Sequence, residues 1–126
     1  MKVVWSREED LAQDKQRPLA VARLSAALGD NGLPTALVTK AAWFTIDGID
    51  RVGGATADYG IYNMPYKVPL RHHERYNAKT HIPSSTHRAP GANQLGFMTE
   101  SFVDEIAIAG GWNPLEWRIE MTKGLD

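Results

Sequence analysis

The 126-residue sequence contains no cysteine. That excludes a disulfide framework, a thiolate metal site and an iron–sulfur ligand set within these residues. It has no excess of one charge either: 14 Lys plus Arg stand against 15 Asp plus Glu. A chain so balanced carries no overall basic footprint for nucleic acid. No apolar run is long enough to span a bilayer. Met1-Lys2-Val3-Val4-Trp5-Ser6 meets Arg7-Glu8-Glu9-Asp10 too soon for a signal-peptide core. A cytoplasmic protein is therefore expected, with no membrane and no nucleic acid among its partners. The length suits one modest core, hence a single domain over 1–126.

What is present begins with a β-prone run, Lys2 to Ser6, and a charged stretch, Arg7 to Gln16, that reads as a solvated turn of helix or loop. Leu19 to Leu28 is rich in alanine, yet Val21, Arg23, Ser25 and Ala27 alternate with Ala22, Leu24, Ala26 and Leu28. Period two is a strand signal. Asn31-Gly32 follows, a pair that accepts the positive φ of a hairpin turn. Leu33 to Phe44 completes a β-hairpin. Ile46 to Tyr62 reads as a loop, with room for a short helix over 55–62. Gly53-Gly54 lacks both the lysine of a P-loop and dinucleotide-binding spacing.

Asn63 to Pro90 holds four of the seven prolines, so it is expected to be extended, with an edge strand within 68–80. His72, His73, His81 and His87 fall here, with Lys67, Arg71, Arg75, Lys79 and Arg88 opposed only by Glu74. This positive patch suits either an anionic ligand or acidic partner, or a strand edge kept apart from other chains by its charge. The second use is favoured. His72 and His73 would point to opposite faces of a strand, and no zinc-binding spacing is present, so no metal ligands are assigned.

Thr86 to Phe102 is the organising stretch. Pro90 and Gly91 break regular structure. Leu95, Met98, Phe102, Ile106 and Ala109 then form one helical stripe, which Gly110-Gly111 ends. A loop entering a helix N-terminus offers unpaired N–H groups and a positive dipole end. That suits an anionic ligand, although a plain surface turn would have the same pattern. The acidic face (Glu100, Asp104, Glu105) is expected mostly toward solvent. Asn113-Pro114-Leu115-Glu116 combines an N-cap, a first-turn proline and a capping-box glutamate. The second helix carries Leu115, Trp117, Ile119 and Met121, ending near Lys123-Gly124. The fold class expected is α+β: an N-terminal β-hairpin and extended segments, then two C-terminal helices packed on the sheet.

Several runs resemble one family. His87 to Gln94, Glu100 to Ala107 and Asn113 to Arg118 are similar to the molybdopterin-binding large subunit of molybdenum hydroxylases, the xanthine dehydrogenase and aldehyde oxidase group. Bacterial aldehyde dehydrogenase and isoquinoline 1-oxidoreductase β subunits are the nearest in look. Val3 to Asp10 and Pro65-Tyr66-Lys67-Val68-Pro69 resemble further family segments. The resemblance implies a molybdenum-dependent oxidoreductase that hydroxylates or oxidises an aldehyde or an N-heteroaromatic ring. It implies that Arg88, Ala89, Pro90, Gly91 and Gln94 belong to the shell around molybdopterin. Pro90 stands where xanthine-specific members have an aromatic residue, which favours a small substrate over a stacked purine.

The resemblance also implies what is missing. The family's catalytic glutamate, an upstream glutamine and glycine-rich cofactor segments all lie outside these residues. No carboxylate here is tied to a base role; Glu74 and Glu100 qualify by charge alone, so no catalytic residue is assigned. The chain is expected to be a fragment of a larger molybdopterin-binding domain. Cofactor is expected in the complete subunit only, and the chain alone is expected to be inactive. The implied partners are the remaining segments of the large subunit and an iron–sulfur subunit; in isolation a homo-oligomer is expected. Alternatives from other classes are a non-catalytic module that binds a partner or small anion, and a structural domain used in assembly.

Overall fold

A computed structural model describes residues 1–44, 60–61, 63–85 and 92–125. In order these form α1 (Arg7–Gln13), β1 (Ala20–Leu28), β2 (Pro34–Phe44), β3 (Leu70–Ala78), α2 (Ala92–Ala109) and α3 (Pro114–Thr122). The protein is α+β, as the switch from period two to period 3.6 implies.

β1 and β2 pair antiparallel, from Ala20 opposite Trp43 to Ala27 opposite Ala36. Their connection is wider than a two-residue turn. Gly29 N–H donates to the Leu33 carbonyl, Asn31 Oδ1 accepts from Leu33 N–H at 3.0 Å, and Gly32 takes the positive φ at 72°. β3 lies at the other side of β2 and runs parallel to it, Ala36 opposite Leu70 through Phe44 opposite Ala78. A parallel neighbour needs a long crossover, and residues 45–69 supply it. The loop and short helix expected over 46–62 lie almost wholly outside the described residues.

The β-prone run at Lys2 to Ser6 needs correcting, while the solvated helix expected within Arg7 to Gln16 is present. Lys2 to Ser6 forms no strand. Arg7–Gln13 is a helix capped by Ser6, whose Oγ accepts from Glu9 N–H at 3.2 Å, and none of its residues is buried. The cap and the acidic first turn suffice for helix here, while the segment has only Leu11 to offer a core.

α2 packs across β1 and against α3. The main core joins Leu37 of β2, Met64, Tyr66 and Val68 of the crossover, Val103, Ile106 and Ala107 of α2, and Trp117 and Met121 of α3. A smaller cluster joins Ala41, Ile61 and Leu95. In α3 the expected stripe is only half right. Trp117 and Met121, four apart, are buried, whereas Leu115 and Ile119 are 66% and 54% exposed. A helix buries one side, and i/i+4 spacing rather than i/i+2 selects it.

Two glycine contacts seat α2 at its ends. A Cβ on Gly60, whose φ is 99°, would lie 2.6 Å from the Gly96 nitrogen. A Cβ on Gly32 would fall on the Gly110 carbonyl. Only glycine lets backbone approach backbone this closely. Trp112 reinforces the second contact, its Nε1–H donating to the Asn31 carbonyl at 3.0 Å.

Candidate functional site

The predicted site residues lie in sequence just before α2 and in its first turn. The first turn of α2 holds no acidic residue, so no carboxylate of that turn opposes an anion at the positive end of its dipole. Gln94 sits in that turn, half-buried, with its Oε1 withdrawn from solvent. Arg88, Ala89, Pro90 and Gly91 lie outside the described residues. The chain that leads into them is tethered: Gln16 N–H donates to the Pro83 carbonyl and Ser85 N–H to the Gln16 carbonyl, and Ser84 is buried.

A cleft of about 510 Å³ is lined by Leu37, Thr39, Ile61, Arg71, His72 and His73. Ile61 also packs on Leu95. Arg71 donates to the Met64 and Ile61 carbonyls at 3.3 and 3.2 Å. His73 Nδ1 lies 2.8 Å from the hydroxyl of buried Thr39. His72 faces the other way, its Nε2 3.0 Å from Glu74 Oε1. The alternation of a strand separates the neighbours, as the sequence implies. Among the described residues no group of three or more His, Cys, Asp or Glu could hold a metal ion.

Among the described residues, several members of the basic patch are engaged within the protein. Lys40 and His72 pair with Glu74, and their hydrogen bonds, Lys40 first, pull its carboxyl below the ordinary 4.5. The Arg75 guanidinium stands 5.7 Å over the Trp43 ring, and Lys67 donates to the Lys123 carbonyl. These contacts fit the reading of charged strand edge better than that of open anion site.

A second cluster escaped the sequence reading. Tyr66 OH donates to Glu100 Oε2 and Oε1 at 2.8 and 3.0 Å. Arg118 donates from Nη2 and Nε to the same Oε2 at 2.9 and 3.2 Å, and from Nη1 to Asp104 Oδ1 at 2.6 Å. The Tyr66 ring meets Trp117 edge-on with centroids 5.1 Å apart. Burial, and then the Glu100 carboxylate, push the Tyr66 phenol above its ordinary 10.0 against the opposing effect of Arg118. Partial burial alone would lower the Arg118 pKa, but its hydrogen bonds to Asp104 and Glu100 outweigh it and the net shift is upward. The acidic face of α2 is thus not simply solvated. Glu100 and Asp104 hold α3, while Glu105 stays exposed. Glu100, a base candidate by charge alone, is committed to this structural role. The available signal was the placement of Tyr66, Glu100 and Arg118 in three separate family-like runs.

A family model of the molybdopterin cofactor-binding domain matches residues 1–121. The chain belongs to that family. The comparison with curated proteins gives no match. Membership makes this a molybdenum-cofactor module of the oxidoreductase type.

The described residues fit such a group in one respect that can be tested on structure alone. A cofactor bearing phosphate and oxo oxygens is favoured by helix N–H groups without a carboxylate beside them, and the first turn of α2 holds no acidic residue. The chain has no thiol with which to ligate molybdenum. Among the described residues no helix is long and apolar enough to cross a membrane.

Proposed function

We propose that this domain forms part of a molybdenum-dependent oxidoreductase acting on an aldehyde or an N-heteroaromatic substrate. In this reading Arg88, Ala89, Pro90, Gly91 and Gln94 form part of the cofactor shell. The observation that carries it is the setting of α2. Its N-terminal turn, which holds no acidic residue, follows directly on the residue 86–91 segment, and the helix is held by the Gly60 contact at Gly96 and by the Tyr66–Glu100–Arg118 cluster.

When bound, the cofactor supplies the oxidation–reduction chemistry at carbon. This chain's own part is to bind and orient. Backbone N–H groups of the first turn and the Arg88 guanidinium offer charge-assisted hydrogen bonds to anionic oxygens. Gln94 offers an amide donor beside them. The Gly60–Gly96 contact and the Arg118 cluster keep the helix end from shifting, so that the donors are preorganised. The general base and the remaining cofactor contacts come from other segments of a larger subunit, with an iron–sulfur subunit to carry electrons away. The chain alone is inactive in this account.

The test is to produce the chain together with the remaining segments of a family large subunit and measure molybdenum by elemental analysis and pterin by fluorescence. Both should co-purify with the assembly, and Arg88→Ala should lower both. Assembly without either, or cofactor content indifferent to Arg88, would overturn the reading.

A further inference from the structure

Two exposed stretches of the chain meet at one buried residue. Arg7 to Arg17 is exposed throughout, and beyond β3 the residues from His81 to Pro83 are exposed as well. Ser84, which follows them, is 2% exposed. A serine offers the core almost no apolar surface, so hydrophobic packing anchors residues 83–85 only weakly. Main-chain hydrogen bonds hold them. Gln16 N–H donates to the Pro83 carbonyl at 2.9 Å, and Ser85 N–H donates to the Gln16 carbonyl at 3.0 Å. Together they make a parallel bridge between Gln16 and Ser84.

Gln16 is itself fixed to the sheet. Shortly after it, the Leu19 carbonyl accepts from Phe44 N–H at 3.0 Å, at the start of the β1–β2 ladder. Pro18 lies between them, its φ locked by its ring. A short path therefore runs from β2 through Leu19 and Gln16 to Ser84. The residue 86–91 segment begins just beyond Ser85 and ends at α2. α2 is held in turn by the Gly60 contact at Gly96. Both neighbours of the segment in sequence are thus anchored, Ser85 by Gln16 and Ala92 by its place in the helix. A connection anchored at both ends needs less ordering when a ligand binds than one anchored at a single end.

We propose that the main chain of Gln16 is a positioning element for the entry to α2, an inference that rests on the cofactor reading above. By clamping Ser84 it sets where the chain enters the residue 86–91 segment, and so raises the affinity of the α2 entry for the anionic part of the cofactor. Gln16 acts through Ser84 and Ser85 and not by touching the ligand. Its side chain takes no part, because both bonds of the bridge belong to the backbone and the residue is exposed.

The test is a titration of the isotope-labelled chain with molybdate, read at the Gln94 and Leu95 amides, in three variants. Gln16→Pro removes one donor of the clamp and Ser85→Pro the other, while Gln16→Ala keeps both. Each proline variant should bind molybdate about tenfold more weakly, the cost of ordering one further residue on binding. Gln16→Ala should bind as the unmodified chain does, and the amides of α3 should stay in place in all three. An unchanged affinity in a proline variant that keeps its circular dichroism, an equal loss in Gln16→Ala, or a loss that comes with displaced α3 amides would each overturn the proposal. Molybdate that moves no amide at residues 92–95 of the unmodified chain would instead overturn the cofactor reading. The clamp is then judged in the ligand-free spectra: the proline variants should displace the Gln94 and Leu95 amides and Gln16→Ala should not, and amides left in place by both prolines would overturn it.

Discussion

Tyr66 and Glu100, thirty-four positions apart, share a hydrogen bond in which the phenol donates to both carboxylate oxygens, at 2.8 and 3.0 Å. Arg118 completes the arrangement by donating to the oxygen that Tyr66 approaches more closely. The crossover, α2 and α3 thereby meet at one carboxylate. Removing a member leaves another partly buried polar group without its partner, which costs more than the bond itself. Tyr66→Phe should destabilise the fold by about 1–2 kcal/mol and Arg118→Ala by about 2–3 kcal/mol. Tyr66 is buried, but the Arg118 and Glu100 side chains are 28% and 47% exposed, which places their pairing below the cost of a core ion pair. Urea denaturation of the two single variants and the double variant checks this. Additive losses would show that the residues do not act together.

The same contact sets a pH dependence. A phenol whose folded pKa is raised contributes stability that is complete below the unfolded value of 10.0 and is lost as pH rises through the folded value. Stability should therefore fall on the alkaline side of about pH 10, less steeply in Tyr66→Phe. Tyrosinate absorbance during alkaline titration should lose a component that titrates above 10.0 in that variant. An unchanged titration curve would contradict the assignment.

Three glycines separate contact from conformation. Gly32→Ala places a side chain at positive φ and onto the Gly110 carbonyl, and should destabilise by about 2–3 kcal/mol. Gly60→Ala meets the Gly96 nitrogen and should behave alike. Gly96→Ala faces open space inside a helix, where alanine is better than glycine by about 0.5–1 kcal/mol, so it should stabilise. Thermal melts of the three order them; a stabilising Gly32→Ala would refute the seating of α2 at the hairpin tip.

The N-cap of α3 gives a smaller effect. Asn113 Oδ1 accepts from Leu115 and Glu116 N–H groups at 2.9 and 3.4 Å. Asn113→Ala should cost about 1 kcal/mol, and Asn113→Asp should be nearly neutral. Denaturant midpoints at constant m-value are the measurement.

Much of the fold was legible in local chemistry. Asn113-Pro114 announced α3, and the alternation from Val21 to Leu28 announced β1, because caps and pleats are short-range. The parallel pairing of β3 to β2 was not legible, since Leu70 to Ala78 meets Ala36 to Phe44 only through a long crossover. Nor was the burial of Trp117 over Leu115, because both are apolar and only the position of Tyr66 decides between them. For the site, the sequence marked α2 and the loop before it. It did not mark the Glu100–Arg118 pairing, which joins residues eighteen apart on two helices. The expected cofactor loop falls among the residues left undescribed, so its assignment to Arg88 and its neighbours stands on family membership and on the helix end that follows it.

The central claim is that the entry to α2 binds the anionic part of a molybdenum cofactor. Titration of the isotope-labelled chain with molybdate, followed through backbone amide shifts, tests it most directly. Binding should be no tighter than about millimolar, because a few donors in water must be desolvated to hold the anion. The account predicts shifts concentrated at residues 88–95 and lost in Arg88→Ala with the rest of the spectrum intact. Shifts centred on His72 and His73, unaffected by Arg88→Ala, would contradict it.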